Sequence, residues 1–309
     1  MKITPSVTVS IDKICCSVPE HYEIFYESTK IPGFILDKYM SSSSTDLQRL
    51  DTETKYLSRK YRSIGVFYHK KTGNRLRICN QRKGHPYISP LFLIFDSSYK
   101  RPLSGEEVFP VQEYFLKKHN LHLRLSEIHL AIDIAAPKGS GIHDLVARSI
   151  KAGKKGAPDH IAVDTLYFGK LNSPSMVVVY NKAQHLRQMK GLTVPTDISR
   201  IELKLKIPRL GNFLGGLEDL AVHDWSFVYP KYFSLHQPNQ RLRSKLRDQP
   251  KRLLLPLWLL KQVMQEEYGL SPSNFYARYL EDHPRLSAPV RQALSRYRWC
   301  VDSEKDKPP

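Results

Sequence analysis

Polar and hydrophobic residues alternate along the first third of the chain, and this alternation predicts β-strands. Near the N-terminus, apolar residues occupy every second position: Val7, Val9 and Ile11. A period of two places such residues on one face of a strand, against a core. Two further runs, "IGVFYH" and "NRLRIC", are joined by "KKTGN", whose Gly-Asn is typical of a hairpin turn.

The middle of the chain combines helices with strands. The S-x-x-E sequence at Ser104 has the form of a capping box and predicts a helix through "VQEYFLKKHN". A helix is also predicted in "GSGIHDLVARSIKAG", and the segments with strand character are "EIHLAIDIA", "DTLYFGK", "SMVVVYNK" and "ISRIELKLK". Hairpins and helices mixed in this way, without regular βαβ alternation, predict an α+β fold with an antiparallel sheet and flanking helices.

From about residue 211 the pattern becomes helical and basic. "QRLRSKLRDQPKRLLLP" is rich in Arg and Lys, and helical periodicity follows in "LWLLKQVMQEEYGL", "SNFYARYLEDH" and "APVRQALSRYRW". We therefore predict two domains: residues 1–210, and a smaller, all-helical basic module over residues 211–309.

The charge balance indicates a polyanionic partner. The chain has 48 Lys and Arg residues against 30 Asp and Glu, a net charge of +18 at pH 7. So large a charge repels itself in the folded state and is typical of proteins that bind polyanions. Ten basic residues and no acidic one lie between Lys55 and Lys83, a pattern that suits a nucleic-acid surface. The alternative is a merely basic soluble protein, for example a ribosome-associated one.

Cysteine usage and hydropathy predict a cytoplasmic protein with no membrane partner. The four cysteines form no metal-binding or disulfide pattern, which fits a reducing compartment. The N-terminus lacks the apolar segment of a signal peptide. The longest apolar run, "LLLPLWLL", contains Pro256 and is far shorter than the ~20 residues that a membrane-spanning helix needs.

Three of the predicted strands carry polar residues that fall on one face. Period two groups them as one pair on each strand: His129 with Asp133, Tyr180 with Lys182, and Arg200 with Glu202. If the three strands are neighbours, these side chains converge, and His185 follows closely enough to join them. Histidine and carboxylates can bind a divalent cation, and a tyrosine beside a lysine can attack a phosphodiester. Taken singly, a tyrosine that ends a strand, such as Tyr180, is more often a half-buried packing residue, and a strand glutamate beside an arginine, such as Glu202, is more often part of a surface ion pair.

Three sequence blocks resemble those of the rolling-circle replication initiators. "EIHLAIDIA", "DTLYFGKLNSPSMVVVYNKAQH" and "ISRIELKLK" are similar to blocks of the Rep_trans-type plasmid initiators and, more distantly, of the filamentous-phage initiators, which are HUH-like tyrosine nickases. Those families have an R-x-D strand that ends in a second Asp, then Y-x-K-x-x-E, then R-x-E. The resemblance covers roughly Ile11 to Lys206 and implies an HUH-like nickase fold, with residues 1–210 as the catalytic domain.

Carried over by position, Tyr180 matches the family's nucleophilic tyrosine and Lys182 its accompanying lysine. Glu202 and its companion Arg200 match R-x-E, and Asp133 matches the second Asp of the first block. Two positions depart. His129 stands for the Asp of R-x-D, with Glu127 in place of the Arg, and His185 stands for the Glu of Y-x-K-x-x-E. Each departure replaces an acid with another possible ligand, so the resemblance implies a Mg²⁺ or Mn²⁺ site of four residues: His129, His185, Glu202 and Asp133.

The resemblance implies a nickase that initiates rolling-circle replication. Tyr180 would attack a nick site in single-stranded or cruciform origin DNA, form a 5′-phosphotyrosine link and free a 3′-OH primer for a host polymerase. A host helicase and a second copy of the chain are further partners of such initiators. Two interpretations stay open for the basic segment "RLRSKLR" of the C-terminal module: a helix that binds the origin, or a solvated helix face. The predicted DNA-binding residues are Arg75, Arg77, Arg200, Arg241, Arg243 and Lys245.

Two other functions fit parts of the sequence. A non-catalytic DNA-binding regulator of replication or transcription explains the charge, but it has no need for His129, His185 and Glu202 to converge on Tyr180. A tyrosine recombinase needs an H-x-x-R spacing, and His185 is followed three residues later by Gln188. The recombinase is therefore disfavoured, and the regulator is the alternative to the nickase.

Overall fold

The computed structural model describes residues 4–18, 30–41, 52–82, 91–98, 101–153, 156–170, 173–206 and 216–299. Contacts divide the chain into two compact units, each built from separate stretches of sequence. Unit 1 comprises the described parts of Met1–Val9, Ala131–Lys204 and Asp224–Tyr297, and unit 2 those of Ser10–Leu130, Leu205–His223 and Arg298–Pro309. This division does not coincide with the boundary at residue 210 that we predicted from composition.

The elements follow one another in an irregular alternation of strands and helices. The first half contains β1 (Ser6–Val18), β2 (Phe34–Ser41), α1 (Thr52–Lys60), β3 (Tyr61–His69), β4 (Arg75–Arg82), β5 (Leu91–Asp96), α2 (Gly105–His119), β6 (Arg124–Pro137) and α3 (Ile142–Ser149). The next elements are β7 (Ile150–Ala152), β8 (His160–Ala162), β9 (Thr165–Phe168), β10 (Ser175–Asn181), α4 (Lys182–Lys190) and β11 (Thr196–Lys206).

The C-terminal third is mostly helical. It contains α5 (Asp219–Val222), α6 (Val228–Lys231), β12 (Phe233–Pro238), α7 (Gln240–Lys245), α8 (Leu257–Tyr268), α9 (Pro272–Tyr279), β13 (Leu280–Asp282) and α10 (Pro284–Arg296). The three predicted helices are confirmed as α8, α9 and α10. The prediction that this part is all-helical is wrong, because β12 pairs with β13 and with β7 in a small antiparallel sheet. These strands are too short to leave a clear alternating pattern.

A large antiparallel sheet with flanking helices forms the framework, which confirms the predicted fold class. In unit 2 its strands lie in the order β2-β3-β4-β5-β1-β6, and in unit 1 in the order β6-β11-β10-β9-β8. The three strands on which the predicted site depends, β6, β11 and β10, are therefore neighbours. Within the described ranges, none of the helices is long and apolar enough to cross a membrane.

The central position of β10 follows from its sequence. Met176, Val177, Val178 and Val179 are all buried, so both faces of this strand are covered. The following Asn181 ends the strand and begins α4, because its side-chain oxygen accepts a hydrogen bond from the Gln184 backbone N–H at 3.0 Å. Tyr180 therefore lies at the C-terminal end of β10, next to the start of α4.

A buried carboxylate joins the β3–β4 hairpin of unit 2 to the first turn of α2. Glu107 accepts hydrogen bonds from the Asn74 amide at 2.8 and 2.9 Å and from the Ser104 backbone N–H at 3.1 Å, and the Thr72 hydroxyl also donates to it. Ser104 and Glu107 form the predicted capping box. Gly73, in the hairpin turn, has the positive φ of 72° that such a turn needs.

Replacing Glu107 with Ala is expected to lower the free energy of unfolding by about 2–4 kcal/mol, because it leaves buried donors of the hairpin without an acceptor. Urea denaturation followed by circular dichroism measures this loss. Glu106→Ala is the matched control: the neighbouring carboxylate is exposed, and its loss should change stability by less than about 0.5 kcal/mol. Equal effects of the two variants would show that the hairpin does not depend on this contact.

Candidate active site

Asp133 on β6 is bound by two cations from the neighbouring segments. Arg200 on β11 donates from Nε to Oδ1 at 2.6 Å and from Nη2 to Oδ2 at 2.8 Å. Lys182, the first residue of α4, donates from Nζ to Oδ2 at 2.5 Å. We call these three residues the Asp133 clamp. It links β6, β11 and the start of α4 at the point where β10 ends.

The clamp is largely shielded from water, which strengthens its electrostatics. The side chain of Asp133 is 14% exposed and that of Arg200 is 9% exposed. Burial alone raises the pKa of Asp133, but the hydrogen bonds and charges of Arg200 and Lys182 outweigh it, so that the pKa lies below its usual range. Asp133 is therefore an ionised carboxylate at neutral pH, and its negative charge is already balanced.

Tyr180 lines an open cleft with a volume of about 330 Å³ in unit 1. The lining residues come from five places in the fold. These are the β8–β9 turn with Val163 and Asp164, β9 with Thr165 and Tyr167, β10 with Val178, Tyr180 and Asn181, α4 with Gln184, His185 and Gln188, and β11 with Glu202 and Lys204. The cleft therefore combines a phenol, an imidazole, a carboxylate and an ammonium group, which are the groups that phosphodiester chemistry uses.

Two contacts order the groups of this cleft. The rings of Tyr180 and His185 meet edge to face, with 5.6 Å between their centroids. Lys204 Nζ lies 3.6 Å from a carboxylate oxygen of Glu202. Because His185 stands on the first turn of α4, the helix that Asn181 caps also holds the imidazole beside the phenol.

The four predicted metal ligands do not form one set. Glu202 and His185 line the cleft, whereas Asp133 is occupied by the clamp. In unit 2, His129 Nε2 lies 2.6 Å from Glu127 Oε1. Over the described ranges, no three His, Cys, Asp or Glu side chains come together in a way that could hold a metal ion. Among the residues described, the four predicted ligands therefore do not form a complete metal site.

The pairing with His129 lowers the pKa of the Glu127 carboxyl. Burial raises the pKa of Glu127, but the hydrogen bond and charge of His129, together with the charge of Lys206, lower it below its usual range. Glu127, which stands where the resembled family has an Arg, thus acts as the partner of the histidine that replaces the family's Asp.

Two of the predicted DNA-binding arginines are buried, and this part of the prediction is corrected. Arg77 is 3% exposed; it forms an ion pair with Asp96 and donates to Thr54 at 3.2 Å. Arg200 is 7% exposed and belongs to the clamp. A guanidinium held in this way cannot reach a phosphate, so both arginines stabilise the fold.

The other predicted DNA-binding residues lie nearer the surface, and their role stays a prediction. Arg75 is partly exposed, with its guanidinium 5.3 Å from the centre of the Tyr68 ring. Arg241, Arg243 and Lys245 are exposed on α7. Arg243 Nε donates to the Pro238 carbonyl at 2.8 Å, and Lys245 Nζ lies 4.5 Å from the centre of the Tyr268 ring, so these two residues have local structural contacts as well.

Sequence reasoning missed some of the residues that line the cleft. Lys204 shares a face with Arg200 and Glu202 by period two, so its place was available from the pattern. Gln184 and Gln188 lie one helical turn apart on α4, which the i, i+4 spacing indicates. No signal pointed to Val163, because "AVDT" has none of the Gly or Asn residues that usually mark a tight turn.

Comparisons with known proteins give a limited result. The chain matches no protein-family model and no curated protein. Among solved structures it is similar to a rolling circle replication initiator protein from Geobacillus stearothermophilus, at 12% sequence identity and a TM-score of 0.44, over 78% of this chain and 91% of that one. A likeness this distant carries no argument about function.

The low pKa of Asp133 gives a prediction about pH. A carboxyl whose pKa is lowered by folding stabilises the protein above its unfolded pKa of about 3.9, and this stability is lost as the pH falls through the lower folded pKa. Asp133→Asn should lower the free energy of unfolding by about 2–4 kcal/mol at pH 7 and by much less near pH 2. Urea denaturation at both pH values measures the difference.

Asp248→Asn serves as the control, because this carboxylate is exposed on the protein surface. It should change the stability little at either pH. A loss on Asp133→Asn that is as large near pH 2 as at pH 7 would contradict an ionised clamp.

Proposed function

We propose that the protein nicks DNA by transesterification at Tyr180 and initiates rolling-circle replication. The observation that carries the proposal is the cleft in which Tyr180, His185, Glu202 and Lys204 lie together. The net charge of +18 favours a polyanionic substrate. The three strand blocks resemble those of replication initiators, and this resemblance suggests that the reaction is a tyrosine transesterification on DNA.

The proposed step balances within the cleft. Tyr180 Oη attacks the scissile phosphorus, the new P–Oη bond forms and the P–O3′ bond breaks. The phenol proton passes to the His185 imidazole, and the imidazolium returns it, directly or through water, to the leaving 3′ oxygen, which becomes the free 3′-OH. The phosphotyrosine preserves the energy of the phosphodiester, so the reverse step closes the strand without a further energy source.

Lys204 is the cation that we assign to the phenolate. A tyrosine hydroxyl has a pKa of about 10 in water, and a positive charge nearby favours its anion. Lys204 lines the cleft with Tyr180, whereas Lys182 is held by Asp133 at 2.5 Å. We therefore assign a structural role to Lys182, the lysine of the Tyr-x-Lys sequence: through the clamp it fixes the position of Tyr180. A direct role of Lys182 in the reaction stays a prediction.

We further propose that cleavage requires the predicted divalent ion, Mg²⁺ or Mn²⁺. Glu202 offers a carboxylate to the cleft, and Mg²⁺ is commonly held by one or two carboxylates together with substrate phosphates. When bound, such an ion would supply positive charge to the scissile phosphate. His185 as a ligand competes with its role as proton acceptor, because a protonated imidazole cannot bind a metal.

Tyr180→Phe is expected to abolish strand cleavage and the covalent protein–DNA product, because phenylalanine has no nucleophilic oxygen. The assay incubates the protein with labelled single-stranded oligonucleotides that tile the encoding replicon, with Mn²⁺ or with EDTA. Gel mobility under denaturing conditions reports the nick and the link to the 5′ end. Tyr114→Phe is the matched control: the Tyr114 hydroxyl has a lysine partner, Lys118, which donates to it at 3.1 Å, but Tyr114 lies on α2 of unit 2.

The outcomes separate the candidate functions. Loss of the covalent product in Tyr180→Phe, with Tyr114→Phe active, supports the nickase, and loss of cleavage in EDTA supports the metal requirement. DNA binding without a nick on the complete tiling would contradict the nickase and favour the non-catalytic regulator. Cleavage that survives Tyr180→Phe would place the nucleophile elsewhere.

Substitution of Lys204 should affect the rate of cleavage, whereas substitution of Lys182 should affect the stability of the fold. Lys204→Met is expected to slow single-turnover cleavage by about 10- to 100-fold and to move its pH profile to higher pH, because the phenolate loses its cation. Lys182→Met removes one donor from the buried Asp133, so it should lower the free energy of unfolding by about 1–3 kcal/mol. Quenched-flow cleavage and urea denaturation on both variants measure this. A pH shift in Lys182→Met alone would return the catalytic role to Lys182.

A further inference from the structure

Val163 has a backbone conformation that is unfavourable for a valine. It lies in the two-residue turn between β8 and β9, which the Ala162–Thr165 pair closes. Its φ is +50°. In this left-handed region the crowding between a side chain and the backbone is relieved only for glycine and, in part, for asparagine and aspartate, and a β-branched residue is a clear outlier.

The side chain of Val163 also contributes almost no hydrophobic stabilisation to the fold. It is 89% exposed to solvent, so it buries almost no apolar surface. Glycine at this position would adopt the same positive φ without strain. Neither the conformation nor the solvation of Val163 therefore stabilises the fold.

The turn is held in place by the elements around it. The imidazole of His143 hydrogen-bonds the backbone of Asp164, and its Nδ1 lies 3.2 Å from the buried Ser199 hydroxyl. Strained residues persist where the surroundings fix them in this way, and they concentrate at functional sites. Val163 lines the same cleft as Tyr180.

We propose that Val163 is an apolar contact for an unpaired DNA base next to the scissile phosphate. The inference rests on the proposed function and names its substrate as a single strand. The cleft volume of about 330 Å³ is at the low end of the roughly 300–1,000 Å³ of small-molecule sites, which suits one nucleotide. Apolar side chains that meet bases in this way are a common device of DNA-binding proteins. The side-chain amides of Gln184 and Gln188 supply hydrogen-bonding groups for the base edge in the same cleft.

The test measures binding apart from cleavage. In the full chain carrying Tyr180→Phe, the affinity for a fluorescein-labelled 20-mer of deoxythymidine and for a mixed-sequence 20-mer is measured by fluorescence anisotropy. Val163→Asn should weaken the affinity by about 5-fold or more, because the base loses its apolar contact. The same variant should raise Tm by about 2 °C or more, because asparagine tolerates the positive φ.

Two controls make the result specific. Val163→Ile keeps the apolar contact and should retain the affinity. Val222→Asn alters another exposed valine, 76% exposed on α5, and should leave the affinity unchanged. An unchanged affinity in Val163→Asn, an equal loss in Val163→Ile, or no binding of single strands at all would overturn the inference. A missing nick with Val163-dependent binding would overturn the nickase and leave the base contact standing.

Discussion

The arrangement of unit 1 around Tyr180 depends on one buried carboxylate. Asp133 accepts hydrogen bonds from a strand arginine and a helix lysine, so a single side chain joins β6, β11 and the beginning of α4. An unpaired carboxylate at this depth would cost several kcal/mol, and the bidentate guanidinium offsets that cost. Since α4 begins directly after β10, fixing Lys182 also fixes the strand end that carries Tyr180.

The clamp explains why the polar face splits into two groups. Alternate residues on a strand are about 7 Å apart, so residues that share a face do not necessarily share a site. Arg200 meets Asp133 at one end, whereas Glu202 and Lys204 lie further along β11 and line the cleft. The charges of Arg200 and Lys182 therefore balance Asp133 within the fold, whereas Glu202 and Lys204 face the cleft of Tyr180 and His185.

Much of this framework was predictable from local patterns, because each strand of the site has the alternation of a half-buried strand or the continuous apolar run of a central one. These local patterns do not establish that β6, β11 and β10 are neighbours; from the sequence, their adjacency was only a hypothesis. Long-range pairs could not be predicted. Arg77 has the same local appearance as an exposed arginine of a basic hairpin, and only its contact with Asp96 in a neighbouring strand makes it a buried one. The two discontinuous units are likewise set by contacts between distant segments.

If the protein is the proposed nickase, the cleft limits the form that its DNA substrate can take. It lies between a hairpin turn and a helix, and its volume corresponds to a nucleotide, so a base pair within a stacked duplex does not fit. A nucleotide must therefore be unpaired before its phosphate reaches Tyr180, and unstacking it costs a few kcal/mol in duplex DNA but little in a single strand or an extruded loop. Val163, which is 89% exposed and contributes little to the fold, would provide apolar surface for such an unstacked base. Within the proposed function, the small volume of the cleft and the strained turn beside it thus support single-stranded or cruciform DNA over an intact duplex as the substrate.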